Sequence, residues 1–228
     1  MKTIISVAID GPAGVGKSTV SKLLAKKLGW SCLDTGALYR AFTVKCLEAG
    51  IDFENAREIE DITDKIHIEV EYIDGVQNVF ANGENVTGKI REQIIDKKVS
   101  YISQVGKVRD SIKGLQREIA TANNVVCEGR DIGSVVLVDT INKFFLTASP
   151  EIRAERRFKE RVQKGENPVF EEILADIKLR DTLDSGREVS PLKIMPDAHV
   201  IDTSNLSIEE VVQTMYDKVK TIEHDLTI

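Results

Sequence analysis

The chain has 228 residues, 42% hydrophobic and 30% charged, with a net charge of −6. Such a composition fits a globular protein with one sizeable core and room for a small inserted subdomain, and argues against a disordered chain or a large nucleic-acid surface. Three cysteines, Cys32, Cys46 and Cys127, form no C-x-x-C pair; this speaks against a structural zinc or a disulfide framework and suits a reducing cytoplasm.

Lys2 and the apolar run after it faintly resemble a leader, but the run stops at Asp10 and leads straight into a glycine-rich loop, so it is not read as one. No stretch is long enough to span a bilayer. Residues Ile4 to Ile9 have the length and character of a buried strand. Gly11-Pro12-Ala13-Gly14-Val15-Gly16-Lys17-Ser18-Thr19 then matches the G-x-x-x-x-G-K-[ST] phosphate loop. Val20, Leu23, Leu24 and Leu28 follow as a helix that stops at Gly29. Strand, loop and helix in that order give the motif its chemistry. Backbone N–H groups and the helix N-terminus face phosphate oxygens, Lys17 reaches the outer phosphates, and the Ser18 hydroxyl is a ligand for Mg²⁺.

A short parallel strand is expected at Ser31–Leu33, followed by a helix from Asp34-Thr35 to about Ala49 with Arg40 one turn inside it. Asp34 and Thr35 are both plausible caps. Residues 54–64 read as a polar helix. From Ile66 to Tyr72 apolar residues alternate with His67, Glu69 and Glu71, the period of a half-buried strand with His67 outward. Asp74-Gly75 and Asn82-Gly83 are hairpin turns. Residues 65–102 are therefore read as an antiparallel insertion, closed by a helix through Ile94, Ile95, Val99 and Ile102.

Val108, Ile112, Leu115 and Ile119 form one apolar helical stripe, with Arg109 off it and free to face a cleft. Val125–Cys127 is a short buried strand, and Glu128-Gly129-Arg130-Asp131 opens the loop at its carboxyl end, where open α/β sheets bind ligands. A strand at Lys143–Thr147 leads to Ser149-Pro150, a helix start. Arg153, Arg156, Arg157 and Arg161 lie on that helix; Arg180, Asp184 and Arg187 bracket the end of the next. Six of the twelve arginines fall between 153 and 187, as in an arm that closes positive charge over phosphates. A last strand at Ala198–Ile201 precedes a helix opened by a Ser207/Glu210 capping box. His199 and His224 have no charged or ligating company and read as structural or surface residues.

An alcohol acceptor needs a base to take its proton, whereas a phosphate acceptor is already anionic and needs its repulsion from the donor neutralised. Many arginines and no histidine in a promising loop favour a nucleoside monophosphate acceptor. A GTP-dependent switch is the rival from another class, but D-x-x-G is missing and Asn142-Lys143 is followed by Phe-Phe.

Together, the phosphate loop, Asp34–Arg40, Gly129-Arg130-Asp131 and Arg180…Asp184…Arg187 resemble bacterial cytidylate kinases over essentially the whole chain. The resemblance implies an α/β nucleoside monophosphate kinase fold: a parallel-sheet core (1–64 and 103–228), a monophosphate-binding insertion (about 65–102) and a helical lid (about 153–167). It implies transfer of the ATP γ-phosphate to CMP or dCMP with Mg²⁺, in a cytoplasmic monomer with no nucleic-acid or membrane partner. By the same resemblance Lys17, Arg130, Arg180 and Arg187 are catalytic. Thr35, Arg40, Ser100, Arg109, Arg130, Asp131, Arg180, Asp184 and Arg187 bind the monophosphate, and Arg153, Arg156, Arg157 and Arg161 belong to the lid. Asp131 and Ser100 would accept from the cytosine amino group, and Arg109 would donate to N3 and O2. Where the family carries a Phe-Pro-x-Val-Arg segment, this chain reads Val105-Gly106-Lys107-Val108-Arg109.

Overall fold

A computed structural model describes residues 4–225, with side chains through Glu223; the His224 side chain lies outside the described residues. The first half contains β1 (Ser6–Asp10), α1 (Lys17–Leu28), β2 (Ser31–Asp34), α2 (Thr35–Glu48), α3 (Ala56–Thr63), β3 (Ile68–Ile73), β4 (Val76–Ala81), β5 (Glu84–Asn85) and α4 (Gln93–Ile102). Then come α5 (Gly106–Ala122), β6 (Val125–Gly129), β7 (Asn142–Thr147), α6 (Pro150–Gln163), α7 (Phe170–Ser185), β8 (His199–Asp202) and α8 (Ile208–Asp225). Two compact units divide these elements. One holds Ile4 and Ser31–Asn124; the other holds Ile5–Trp30 and the chain from Val125 onward.

The second unit supplies four strands, in the order β6-β1-β7-β8, of a five-stranded parallel sheet. Val7, Ala8, Ile9, Val125, Val126, Cys127, Phe144 and Leu146 are all buried. Their near-continuous apolar runs are what a sheet covered on both faces requires. The register sets Ile9 beside Glu128 and Asp10 beside Gly129, so the phosphate loop and the loop after β6 leave from the same sheet end. The strand at 125 runs two residues past the expected Cys127, which puts Glu128 in the sheet rather than in a loop. Ala154, Ile173 and Ile177 form a small separate core for α6 and α7, with Phe158 edge-on to Phe170. His199 sits in β8 against the Phe144 ring, the structural position expected of it.

The first unit packs α2 (Leu38, Phe42) and α4 (Ile95, Val99, Ile102) with Val108 and Ile112 of α5 and Val79 and Ala81 of β4. Asp34 rather than Thr35 caps α2, its carboxylate accepting from the Ala37 N–H at 3.0 Å. The β3–β4–β5 meander forms as expected, and His67 is exposed. Asp74 and Gly75 (φ 52° and 75°) and Asn82 and Gly83 (φ 52° and 78°) are left-handed pairs, the conformation of type I′ hairpin turns.

Candidate active site

The phosphate loop connects β1 to α1, and its shape is set by glycine. Gly11 has φ 149°, and a Cβ there would stand 2.2 Å from the Leu146 carbonyl oxygen. Gly16 caps α1 in a left-handed conformation (φ 93°) with no side chain over the helix end. The end of α1 is thereby left for an anion. Lys17 is buried, its Nζ donating to the carbonyls of Gly11 and Pro12, both at 2.8 Å. Burial, then the Arg130 charge, lowers the Lys17 pKa, and Glu128 and Asp184 oppose that shift. The charges of Glu128, Arg130, Arg180 and Asp184 are thus all felt at the lysine.

The Ser18 hydroxyl donates to the Glu128 carboxylate. Glu128 is absent from the sequence-based set of site residues. Its only signal was its place at the end of a buried strand, which gains meaning once β6 is known to lie beside β1. A hydroxyl and a carboxylate are the hard oxygen donors that Mg²⁺ takes, so the pair fits that ion. Among the described residues no group of three or more His, Cys, Asp or Glu side chains could cage a metal.

Arg130, Arg180, Asp184 and Arg187 are neighbours. Arg130 Nε donates to Asp184 at 2.8 Å, and Arg187 Nε to the Asp184 carbonyl at 3.3 Å. Burial alone would raise the Asp184 pKa. The charges of Arg130, Arg180 and Arg187 outweigh it and hold the carboxyl below its usual range. Asp131 follows, buried, directly after Arg130.

Two lid arginines are placed differently from the expectation of an arm over phosphates. Arg153 is buried: it donates to the carbonyls of Ala148 and Ala13, both at 3.0 Å, and pairs with Asp181 at 2.9 Å. It braces the phosphate loop and α7 because carbonyls and a carboxylate converge on it from three segments. Arg156 donates to the Thr203 hydroxyl at 3.0 Å. Arg157 is half-buried, and Arg161 pairs with Glu166 at 2.6 Å near the end of α6.

In the first unit, Thr35 is buried at the start of α2, and Arg40 pairs with Asp96 at 3.2 Å. Arg91, absent from the sequence-based set, pairs with Asp34 at 3.3 Å. Arg109, expected off the apolar stripe of α5 and free to face a cleft, lies instead on the buried face of that helix with Ile112, Gln116 and Ala120. It is buried, donates to the Ser103 carbonyl at 2.9 Å and lies over the Tyr39 ring at 5.4 Å. Ser100 is one turn earlier, on α4, where its carbonyl accepts from Ser103 and Gln104. The helix after it starts at Gly106 without the proline of the related segment.

The sequence profile of the cytidylate kinase family matches residues 7–221. The chain belongs to the cytidylate kinase family. It is similar to a cytidylate kinase from Caldanaerobacter subterraneus subsp. tengcongensis, with 50% identity over 216 residues and 95% of each chain covered. One from Caldicellulosiruptor saccharolyticus is 46% identical over 209 residues, 92% of each chain. Among solved structures, a gluconokinase from Sinorhizobium meliloti 1021 aligns with a TM-score of 0.51 at 15% identity, over 100% of this chain and 98% of that one. That likeness concerns the fold alone. Among the described residues, no helix is long and apolar enough to cross a membrane.

Proposed function

We propose that this cytidylate kinase family member transfers the γ-phosphate of ATP to CMP or dCMP, and that charge neutralisation and positioning carry the reaction. The observation that supports this best is the buried Lys17 next to a cluster of Arg130, Arg180 and Asp184, at the sheet end from which the phosphate loop leaves. An acceptor phosphate needs no proton removed, so the Glu128 and Asp184 carboxylates gathered there are not required as general bases. Lys17 and the phosphate-loop amides hold the donor phosphates. Arg130, Arg180 and Arg187 offset the repulsion between donor and acceptor. Asp131 reads cytosine: a carboxylate suits the N4 amino group and is left facing a carbonyl by uracil.

Ser18 and Glu128 would hold Mg²⁺, which, when bound, bridges and neutralises donor phosphate oxygens. Glu128→Gln keeps the size of the side chain and halves its charge-bearing acceptors. It is expected to raise the Mg²⁺ concentration needed for half-maximal ATP binding by about tenfold, as removal of a ligand-orienting partner does. Calorimetric titration of Mg²⁺ in the presence of ATP measures this; an unchanged midpoint removes Glu128 from the metal site. The reading also has the enzyme act as a cytoplasmic monomer on nucleotides alone, in keeping with its net charge of −6 and free cysteines.

Coupled ADP release with MgATP across CMP, dCMP, UMP, AMP, GMP and shikimate tests the acceptor. Turnover confined to CMP and dCMP is expected. Preferred turnover of another acceptor would keep the kinase and discard the base-reading residues.

A further inference from the structure

Asp10 ends β1, one residue before the phosphate loop, and the motif itself gives it no task. Its side chain is only 5% exposed. One carboxylate oxygen accepts from the Ile132 backbone N–H at 2.8 Å and the other from the Gly133 N–H at 2.8 Å. These two amides open a wide helical turn over Ile132–Val136. Its later bonds run back from Val135 and Val136 to the Asp131 carbonyl and from Leu137 to Ile132. The first N–H groups of any helical turn lack partners within it, and an anion is the preferred cap. The cap here comes from another strand, 122 and 123 residues away in sequence.

Burial pushes the Asp10 carboxyl up to about 6, while the Gly133 and Ile132 amides pull it down; Asp131 adds repulsion and Lys17 attraction. A carboxylate is costly in such a place, and a packing role would be met by an apolar side chain. Both of its oxygens are committed to the backbone of a single loop. That loop begins with Arg130 and Asp131, and the strand pairing sets Asp10 opposite Gly129.

We propose that Asp10 is a positioning residue for the acceptor: it clamps the Ile132 and Gly133 amides and so fixes where Arg130 and Asp131 stand relative to the phosphate loop. This rests on the reading of Arg130 and Asp131 as acceptor-binding residues. Asp10 is covalently joined to the donor loop and hydrogen-bonded to the acceptor loop, so one side chain sets the spacing of the two.

Asp10→Asn tests it. The amide keeps one acceptor and turns its NH₂ toward the second N–H, releasing half of the clamp without a change of volume. KM for CMP is expected to rise by about tenfold or more, and the CMP-over-UMP ratio of kcat/KM to fall by about fivefold or more, the scale of one charge-assisted hydrogen bond lost. MgATP affinity by direct titration is expected to stay within about threefold, because Asp10 donates nothing to the nucleotide. An Asp10→Asn enzyme that loses ATP and CMP binding equally, with the acceptor ratio intact, has lost general structure and overturns the proposal.

Asp131→Asn is measured in parallel. If it narrows the acceptor ratio and Asp10→Asn does not, the positioning role fails while the reading of Asp131 survives; if neither moves the ratio, that reading fails first. Should Asp10→Asn not fold, hydrogen exchange on the unaltered protein decides. The Ile132 and Gly133 amides are expected to exchange as slowly as those of β1, and exchange at the rate of an open loop overturns the clamp.

Discussion

Lys17→Ala is expected to lower kcat by about three orders of magnitude at saturating MgATP and CMP, the scale seen when a fixed charge stabilising a transition state is removed. The structure explains why the loss falls on the rate rather than on the fold. The ammonium is buried and held by two carbonyls of its own loop, Gly11 and Pro12. Removing it forfeits two hydrogen bonds but also relieves a charge that burial and Arg130 disfavour. These effects oppose one another, so the melting temperature moves by only a few degrees, as for a net change near 1 kcal/mol. Steady-state kinetics and a thermal melt on the same sample check both halves. A kcat within tenfold of the parent enzyme would sink the assignment of Lys17 to the phosphates.

Gly11→Ala is expected to act on the fold and the site together. At φ 149° an L-residue is strained, and the new Cβ would meet the Leu146 carbonyl oxygen at 2.2 Å and its carbon at 3.2 Å. Those atoms are Leu146 backbone in β7, which pairs with Ile201 of β8, and cannot turn aside as a side-chain tip could. The loop must leave its seat, at a cost of roughly 3 kcal/mol or more for overpacking and backbone strain together. MgATP binding is lost with it. The control is Gly75→Ala at the hairpin turn, where φ is 75° but nothing lies within 4 Å of the added carbon. It should cost about 1 kcal/mol from backbone strain alone and leave turnover unchanged. Equal behaviour of the two variants in denaturant melts and ATP titration would show that the Leu146 contact has no part in shaping the loop.

What the sequence made legible was whatever is encoded over a few neighbouring residues. The phosphate loop, the Ser207/Glu210 capping box (Ser207 N–H to Glu210 at 2.8 Å, Glu210 N–H to Ser207 Oγ at 3.2 Å) and the two turns at Asp74-Gly75 and Asn82-Gly83 are local patterns, and each formed. The long-range contacts were not legible. Ser18 and Glu128 are 110 residues apart, and nothing near either names the other. Asp10 looked like the polar end of a strand until two amides from a distant loop were found on it. Arg153 shows the same limit from the other side. The sequence placed it on one helix with Arg156, Arg157 and Arg161, but its surroundings were decided by the Ala13 carbonyl, 140 residues away, and by Asp181. Arg109 was read as lying off the apolar stripe, yet it lies on the buried face of α5 with Val108, Ile112, Gln116 and Ala120. Its burial depends on Tyr39, which no periodicity within α5 could reveal.

The pairing of these arginines with carboxylates bears on how substrates arrive. Arg40 is matched by Asp96, Arg91 by Asp34, Arg130 by Asp184 and Arg153 by Asp181. Each guanidinium and its partner form a close dipole rather than a bare charge, and the field of a dipole dies away within a few ångströms of salt water. Such a surface does little to draw a nucleotide in from a distance, on a chain whose net charge of −6 already repels anions. On the proposed reading of Arg40 and Arg130 as phosphate-binding groups, recognition begins only at contact, when phosphate oxygens compete with Asp96 and Asp184 for guanidinium groups already held in place. Affinity is then the difference between two pairings of the same arginine.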